Sequence, residues 1–216
     1  MKILFFGDSI TDMGRFREFD GHFMSYGAGF VRQIASELFF EESDRYEIVN
    51  RGIGGNEIVD LYARLKTDVW DQKPDVLSIL VGINDIWHQF DPKPRGTDIR
   101  RYEKIYRAMI EETKERLPQT QIIVCEPFVL RGESIDDFFE EFNALTHEYA
   151  KVVKKIAKDY SLPFVSLQEK FDEMENEYGA KTLLYDGVHP NLVGANVIAK
   201  EWLKIFKAYK ENWSIR

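Results

Sequence analysis

One cysteine, seven prolines and four histidines in 216 residues narrow what this chain can be. A lone Cys125 rules out an intramolecular disulfide framework, so a reducing compartment is the simplest setting. No close pair of histidines or cysteines has zinc spacing, and no metal is expected. No apolar run approaches the ~20 residues that a membrane helix needs. The amino terminus also lacks the basic region, apolar helix and small-residue cleavage site of a secretory signal. A cytoplasmic protein without stable membrane association is the expectation. Positive charge is in deficit as well: the net charge is −8, leaving no field to concentrate the chain on phosphate backbones. Nucleic acid is therefore not an expected partner.

What the chain has is apolar content, 44% hydrophobic and 14% aromatic residues. That suffices for one compact domain, residues 1–216, burying roughly 70% of its unfolded surface. Five short apolar runs read as strands: Lys2-Ile3-Leu4-Phe5-Phe6, Tyr46 to Asn50, Asp75 to Val81, Gln121 to Cys125 and Pro163 to Leu167. Asp75 to Val81 is almost continuously apolar, as a central strand covered on both faces must be. Between the runs, helical periodicity predicts helices over Ala28 to Phe40, from after Asn56 to about Trp70, Thr97 to Leu117 and Ile135 to Asp159, with a last one ending near Tyr209. Thr11 to Gly27 reads as a loop. Alternating strands and helices imply a parallel sheet inside a three-layer α/β/α sandwich, with no repeat or linker to mark a second domain.

The chemistry gathers where strands end. Gly7-Asp8-Ser9-Ile10 follows the first strand, and Gly52-Ile53-Gly54-Gly55-Asn56 follows the second. Gly82-Ile83-Asn84-Asp85 follows the third, and Asp186-Gly187-Val188-His189 lies in the last loop. Acyl transfer by serine needs a base, a carboxylate to orient it and donors aimed at the developing oxyanion. Ser9 would be the nucleophile, His189 the base and Asp186 the orienting carboxylate. The N–H groups of Ser9 and Gly55 and the side-chain amide of Asn84 supply the donors. Each motif alone is commonplace, since Gly-Asp-Ser makes a turn, Asn-Asp caps a helix and Asp-x-x-His sits in solvated loops. Their joint occurrence in four strand-end loops favours catalysis.

Together these blocks resemble the SGNH, or GDSL-type, hydrolases, a family with an invariant serine, glycine, asparagine and histidine in four blocks. The resemblance spans nearly the whole chain and implies the flavodoxin-like SGNH hydrolase fold with a central five-stranded parallel sheet. The longer stretches Gly7-Asp8-Ser9-Ile10-Thr11-Asp12-Met13-Gly14-Arg15 and Gly82-Ile83-Asn84-Asp85-Ile86-Trp87 are most similar to intracellular carbohydrate esterases of the acetylxylan-esterase kind. That likeness implies removal of acetyl groups from sugars or xylo-oligosaccharides without a metal or organic cofactor, and a small-molecule ester as partner. A second enzyme reading keeps the triad and changes the substrate to a lipid ester, thioester or lysophospholipid. A third is a non-catalytic flavodoxin-like nucleotide-binding module. Against it, Glu57 stands where G-x-G-x-x-G needs its last glycine.

Several residues have two readings. Asp8, Trp87, Phe128 and Tyr185 fall on site-side segments and are candidate substrate contacts, as is Phe16, although loop aromatics also cover core. His88 reads as an exposed loop histidine that could touch substrate, and Glu126 either faces the site or is solvated. His22 and His147 read as structural or solvent-facing, and Cys125 as a small buried residue. The aromatic tail from Tyr209 to Arg216 would dock on a neighbouring subunit, giving a homo-oligomer, or back on its own domain.

Overall fold

A computed structural model describes residues 1–213. Five parallel strands form one sheet: β1 (Lys2–Gly7), β2 (Glu47–Gly52), β3 (Val76–Leu80), β4 (Gln121–Cys125) and β5 (Phe164–Val165), in the order β2-β1-β3-β4-β5. Side chains alternate across a strand, and β1 shows why its run had to be continuously apolar. Phe5 packs against Phe30 and Trp202 on one face, with ring centres 5.8 and 5.0 Å away, while Phe6 meets Arg64 on the other. Both faces are covered, so an alternating polar pattern would have placed polar groups in the core.

The helices are α1 (Ser9–Asp12), α2 (Phe30–Glu42), α3 (Ile58–Leu65), α4 (Ile83–Trp87), α5 (Ile99–Arg116), α6 (Phe139–Asp159), α7 (Gln168–Tyr178), α8 (Ala180–Leu183) and α9 (Leu192–Lys210). α2 pairs with α9, and α3 pairs with α5, which in turn meets α6. No helix among the described residues is long and apolar enough to cross a membrane.

Among the elements that depart from the sequence expectation, three show the physical reason. The segment after Ser9 begins as a helical turn, because the Asp8 carboxylate accepts the Ile10 N–H at 2.9 Å and caps it. β5 is only two residues long: the Glu126 carboxylate takes the Leu167 and Gln168 N–H groups at 2.6 and 3.0 Å, ending the ladder. Those same bonds start α7, a helix that buries only Gln168 and Phe171 and so lacks a readable apolar stripe.

Register brings the site together. Gly7 pairs with Gly52 on one side and Leu80 on the other, so β1, β2 and β3 end level. The chain leaves β1 for one neighbour and returns to the other, and at such a reversal of strand order the loops diverge and open a crevice. Ser9, Gly55 and Asn84 all lie on those loops.

Candidate active site

Ser9 is the first residue of α1. Its Oγ lies 2.9 Å from His189 Nε2, and His189 Nδ1 lies 2.7 Å from Asp186 Oδ2. The second Asp186 oxygen accepts the Val188 and His189 N–H groups at 2.9 and 2.7 Å. One carboxylate thus shapes the turn and orients the ring that the turn carries. Gly187 sits at φ +100°, which a side chain would resist, and a Cβ there would lie 2.8 Å from the Leu130 carbonyl.

Charge assigns the protons. Burial raises the Asp186 carboxyl, but the His189 ring and the two backbone N–H bonds outweigh it and hold the group below the ordinary aspartate value. An ionised Asp186 requires Nδ1 to carry its proton, leaving Nε2 free to accept from the Ser9 hydroxyl. Burial pushes the imidazole down, yet the Asp186 contact and the more distant Asp8 bring it above the usual histidine value. Asp8 itself is 1% exposed, and one of its oxygens is buried without a partner. Burial lifts that carboxyl to about 7, opposed chiefly by the Ile10 N–H.

Beside Ser9 runs the loop leaving β2. A Cβ on Gly52 would stand 2.2 Å from the Asp12 nitrogen, so only glycine lets this loop pass α1. Gly55 adopts φ +79°, with open space where a Cβ would project. Asn84, in the first turn of α4, donates from Nδ2 to the Asn56 carbonyl at 3.1 Å. That bond occupies one amide hydrogen and orients the other.

Residues 5–197 match the family model of the GDSL-like lipase/acylhydrolases. This chain belongs to that family. An acetylxylan esterase from Geobacillus stearothermophilus is 37% identical over 209 residues, covering 94% of this chain and 92% of the relative. Its crystal structure aligns with a TM-score of 0.85 at 36% identity over 94% and 93% of the two chains. Structures of that esterase include catalytic mutants in which a serine, an aspartate or a histidine is replaced by alanine. A GDSL-lipase-like protein from Parabacteroides merdae aligns with a TM-score of 0.90 at 38% identity over 95% of each chain. The protein is therefore a carboxylic ester hydrolase of the SGNH type, and the reading as a non-catalytic nucleotide module falls away.

In this GDSL hydrolase the remaining candidates separate sharply. Trp87 and Tyr185 both adjoin His189: the Tyr185 ring is stacked on the imidazole at 5.5 Å and 15°, and Trp87 lies 6.2 Å away. Phe128 is a correction. It is fully buried and stacked on Phe171 at 4.3 Å, so its ring belongs to the core and has no surface to offer a substrate. Asp8 is also corrected as a substrate contact, because its carboxylate is enclosed beneath the nucleophile. Glu126 is spent on capping α7. His22 is exposed and accepts the Met24 N–H, His147 is exposed, and Cys125 is buried. Phe16 is 37% exposed and lies against Phe19 and His22 in an aromatic loop cluster. Among the described residues, no group of three or more His, Cys, Asp or Glu side chains could hold a metal ion.

His88 differs most from its sequence reading. It is buried, with Nδ1 2.6 Å from Glu57, whose other oxygen accepts the Thr97 N–H and hydroxyl at 2.9 and 2.6 Å. Asp85, fully enclosed, accepts the Ile58 N–H at 3.1 Å. Together with the Asn84–Asn56 bond, these contacts fasten α4 and the residue that follows it to the start of α3. Motif reading had no means to find this brace, since its partners lie about 30 residues apart and share no local pattern. In the tail, Trp213 meets Phe206 of α9 edge-on at 5.8 Å, and residues 214–216 lie outside the described residues.

Proposed function

We propose that Ser9, His189 and Asp186 form a catalytic triad that removes acetyl groups from sugar hydroxyls, xylo-oligosaccharides being the favoured class. The observation that carries this is the hydrogen-bonded line from Ser9 Oγ through the His189 ring to Asp186. Ser9 Oγ attacks the acetyl carbonyl as its proton passes to Nε2. The N–H groups of Ser9 and Gly55, with the Asn84 amide, receive the oxyanion. The imidazolium then returns its proton to the departing sugar oxygen. Water, deprotonated by the same nitrogen, attacks the acyl-enzyme, and acetate leaves with Ser9 restored.

Support for the sugar ester comes from two directions. The acetylxylan esterase is similar over almost the full length of both chains, and this chain offers the three residue types replaced in that relative's catalytic mutants. Trp87 and Tyr185 also place aromatic surface beside the base, where a pyranose ring can stack.

Comparison of kcat/KM on acetylated xylo-oligosaccharides, an acyl-CoA thioester and long-chain esters tests this reading. Preference for the acetylated sugar is expected. A higher value on long-chain or thioester substrates would replace it with the lipid or thioester reading, leaving the triad in place.

A further inference from the structure

Arg64, near the end of α3, reaches back toward the loops that carry the oxyanion donors. Its side chain is only 14% exposed. Nη2 donates to the Gly7 carbonyl at 3.0 Å, Nη1 to the Arg51 carbonyl at 2.8 Å and Nε to Asn56 Oδ1 at 2.8 Å. Asp68, one turn on, balances the charge at 2.6 Å, and the guanidinium lies 4.4 Å from the centre of the Phe6 ring. A buried cation with this many fixed acceptors is a geometric clamp.

What it clamps matters. The Gly7 carbonyl, which also accepts the Ile53 N–H at 3.1 Å, belongs to the peptide just before Asp8 and Ser9. Arg51 and Asn56 flank the glycine-rich turn that presents the Gly55 N–H. The Asn56 carbonyl receives the Asn84 amide. Glycines impose little geometry of their own, so the position of the Gly55 N–H relative to Ser9 depends on the bonds that hold the turn: the Ile53 and Gly54 N–H groups to the Gly7 carbonyl and Asp12 within it, and the Arg64 bonds at its two ends.

We propose that Arg64 is a positioning residue of the oxyanion hole, one guanidinium tying the Gly7 carbonyl to both ends of the 51–56 loop so that the Ser9, Gly55 and Asn84 donors converge. The inference rests on the oxyanion hole proposed above. Arg64 touches neither substrate nor reacting atoms.

The test is a double-mutant cycle on the full-length enzyme with 4-nitrophenyl acetate. It compares Arg64→Met, Arg64→Lys, Asn56→Ala and Asn84→Ala, with each of the first three also combined with Asn84→Ala, and follows melting alongside. Loss of Arg64 is expected to lower kcat by about a hundredfold, as a small misplacement of catalytic groups can. KM and the acid limb of the pH profile should stay where they are. Lysine should not rescue, because a single ammonium cannot reproduce the fork. Asn56→Ala, which keeps the cation, should cause a smaller loss in kcat and decides the matter if the Arg64 variants do not fold. Because all these losses act on one hole, each double mutant should be barely slower than the slower of its two parents.

Losses that multiply in the double mutants, or an unchanged kcat in the Arg64 and Asn56 variants, overturn the role of Arg64 while leaving the hole standing. An undiminished kcat in Asn84→Ala removes the hole itself, and this inference with it.

Discussion

The Nε2 atom of His189 lies 2.9 Å from the Oγ atom of Ser9 across 180 residues of sequence. Only a neutral imidazole can accept the serine proton, and Asp186 holds the ring above the usual histidine value against the opposing effect of burial. kcat/KM is therefore expected to fall as pH drops through a midpoint above 6.5. In Asp186→Asn the raising influence is gone, so the midpoint should move down while kcat falls steeply. A pH–rate profile of both proteins checks this, and a wild-type rate that stays flat down to pH 4 contradicts the histidine base.

Asn84→Ala removes one proposed oxyanion donor. Such losses cost about 10²–10³ in kcat. Steady-state kinetics should show that drop at little change in KM, with melting reported separately because the Asn56 carbonyl also loses its partner.

Phe128→Ala should separate core from site. Deleting a fully buried phenylalanine ring costs about 3–5 kcal/mol, which chemical denaturation would detect, while kcat of the folded fraction stays near wild type. Tyr185→Ala should do the reverse, raising KM for acetylated xylo-oligosaccharides with little change in stability.

Asp8 gives the fold a pH signature. Burial lifts its folded value to about 7 from an ordinary 3.8. Between those limits the unfolded chain releases a proton that the folded chain keeps, so this group's contribution to stability falls as pH rises through that window. Asp8→Asn lacks the effect and can still cap α1. Its stability relative to wild type should therefore climb from pH 4 to pH 7, by on the order of 4 kcal/mol at most. Denaturation curves at a series of pH values check the slope.

How much was legible in the sequence follows from what is local. The strands could be read because a parallel strand buried on both faces must be a continuous apolar run, as Leu77 to Leu80 is apart from Ser78. That serine is excused by the Trp202 indole N–H bonded to it at 2.9 Å. The candidate site residues could be picked out because each block carries its chemistry within a few positions. Whether a loop side chain points in or out is not local. Phe128 and Trp87 look alike in sequence, yet one stacks on Phe171 in the core and the other lies beside the base. His88 looked exposed because its partner Glu57 sits at the start of another helix, and α7 escaped notice because it presents so little apolar surface.

Covalent labelling with an aryl organophosphonate, followed by peptide mass analysis, tests the nucleophile most directly. Modification is expected at Ser9, absent in Ser9→Ala and slowed in His189→Ala. Modification at another residue, or labelling of Ser9→Ala at the wild-type rate, would contradict the assignment of Ser9.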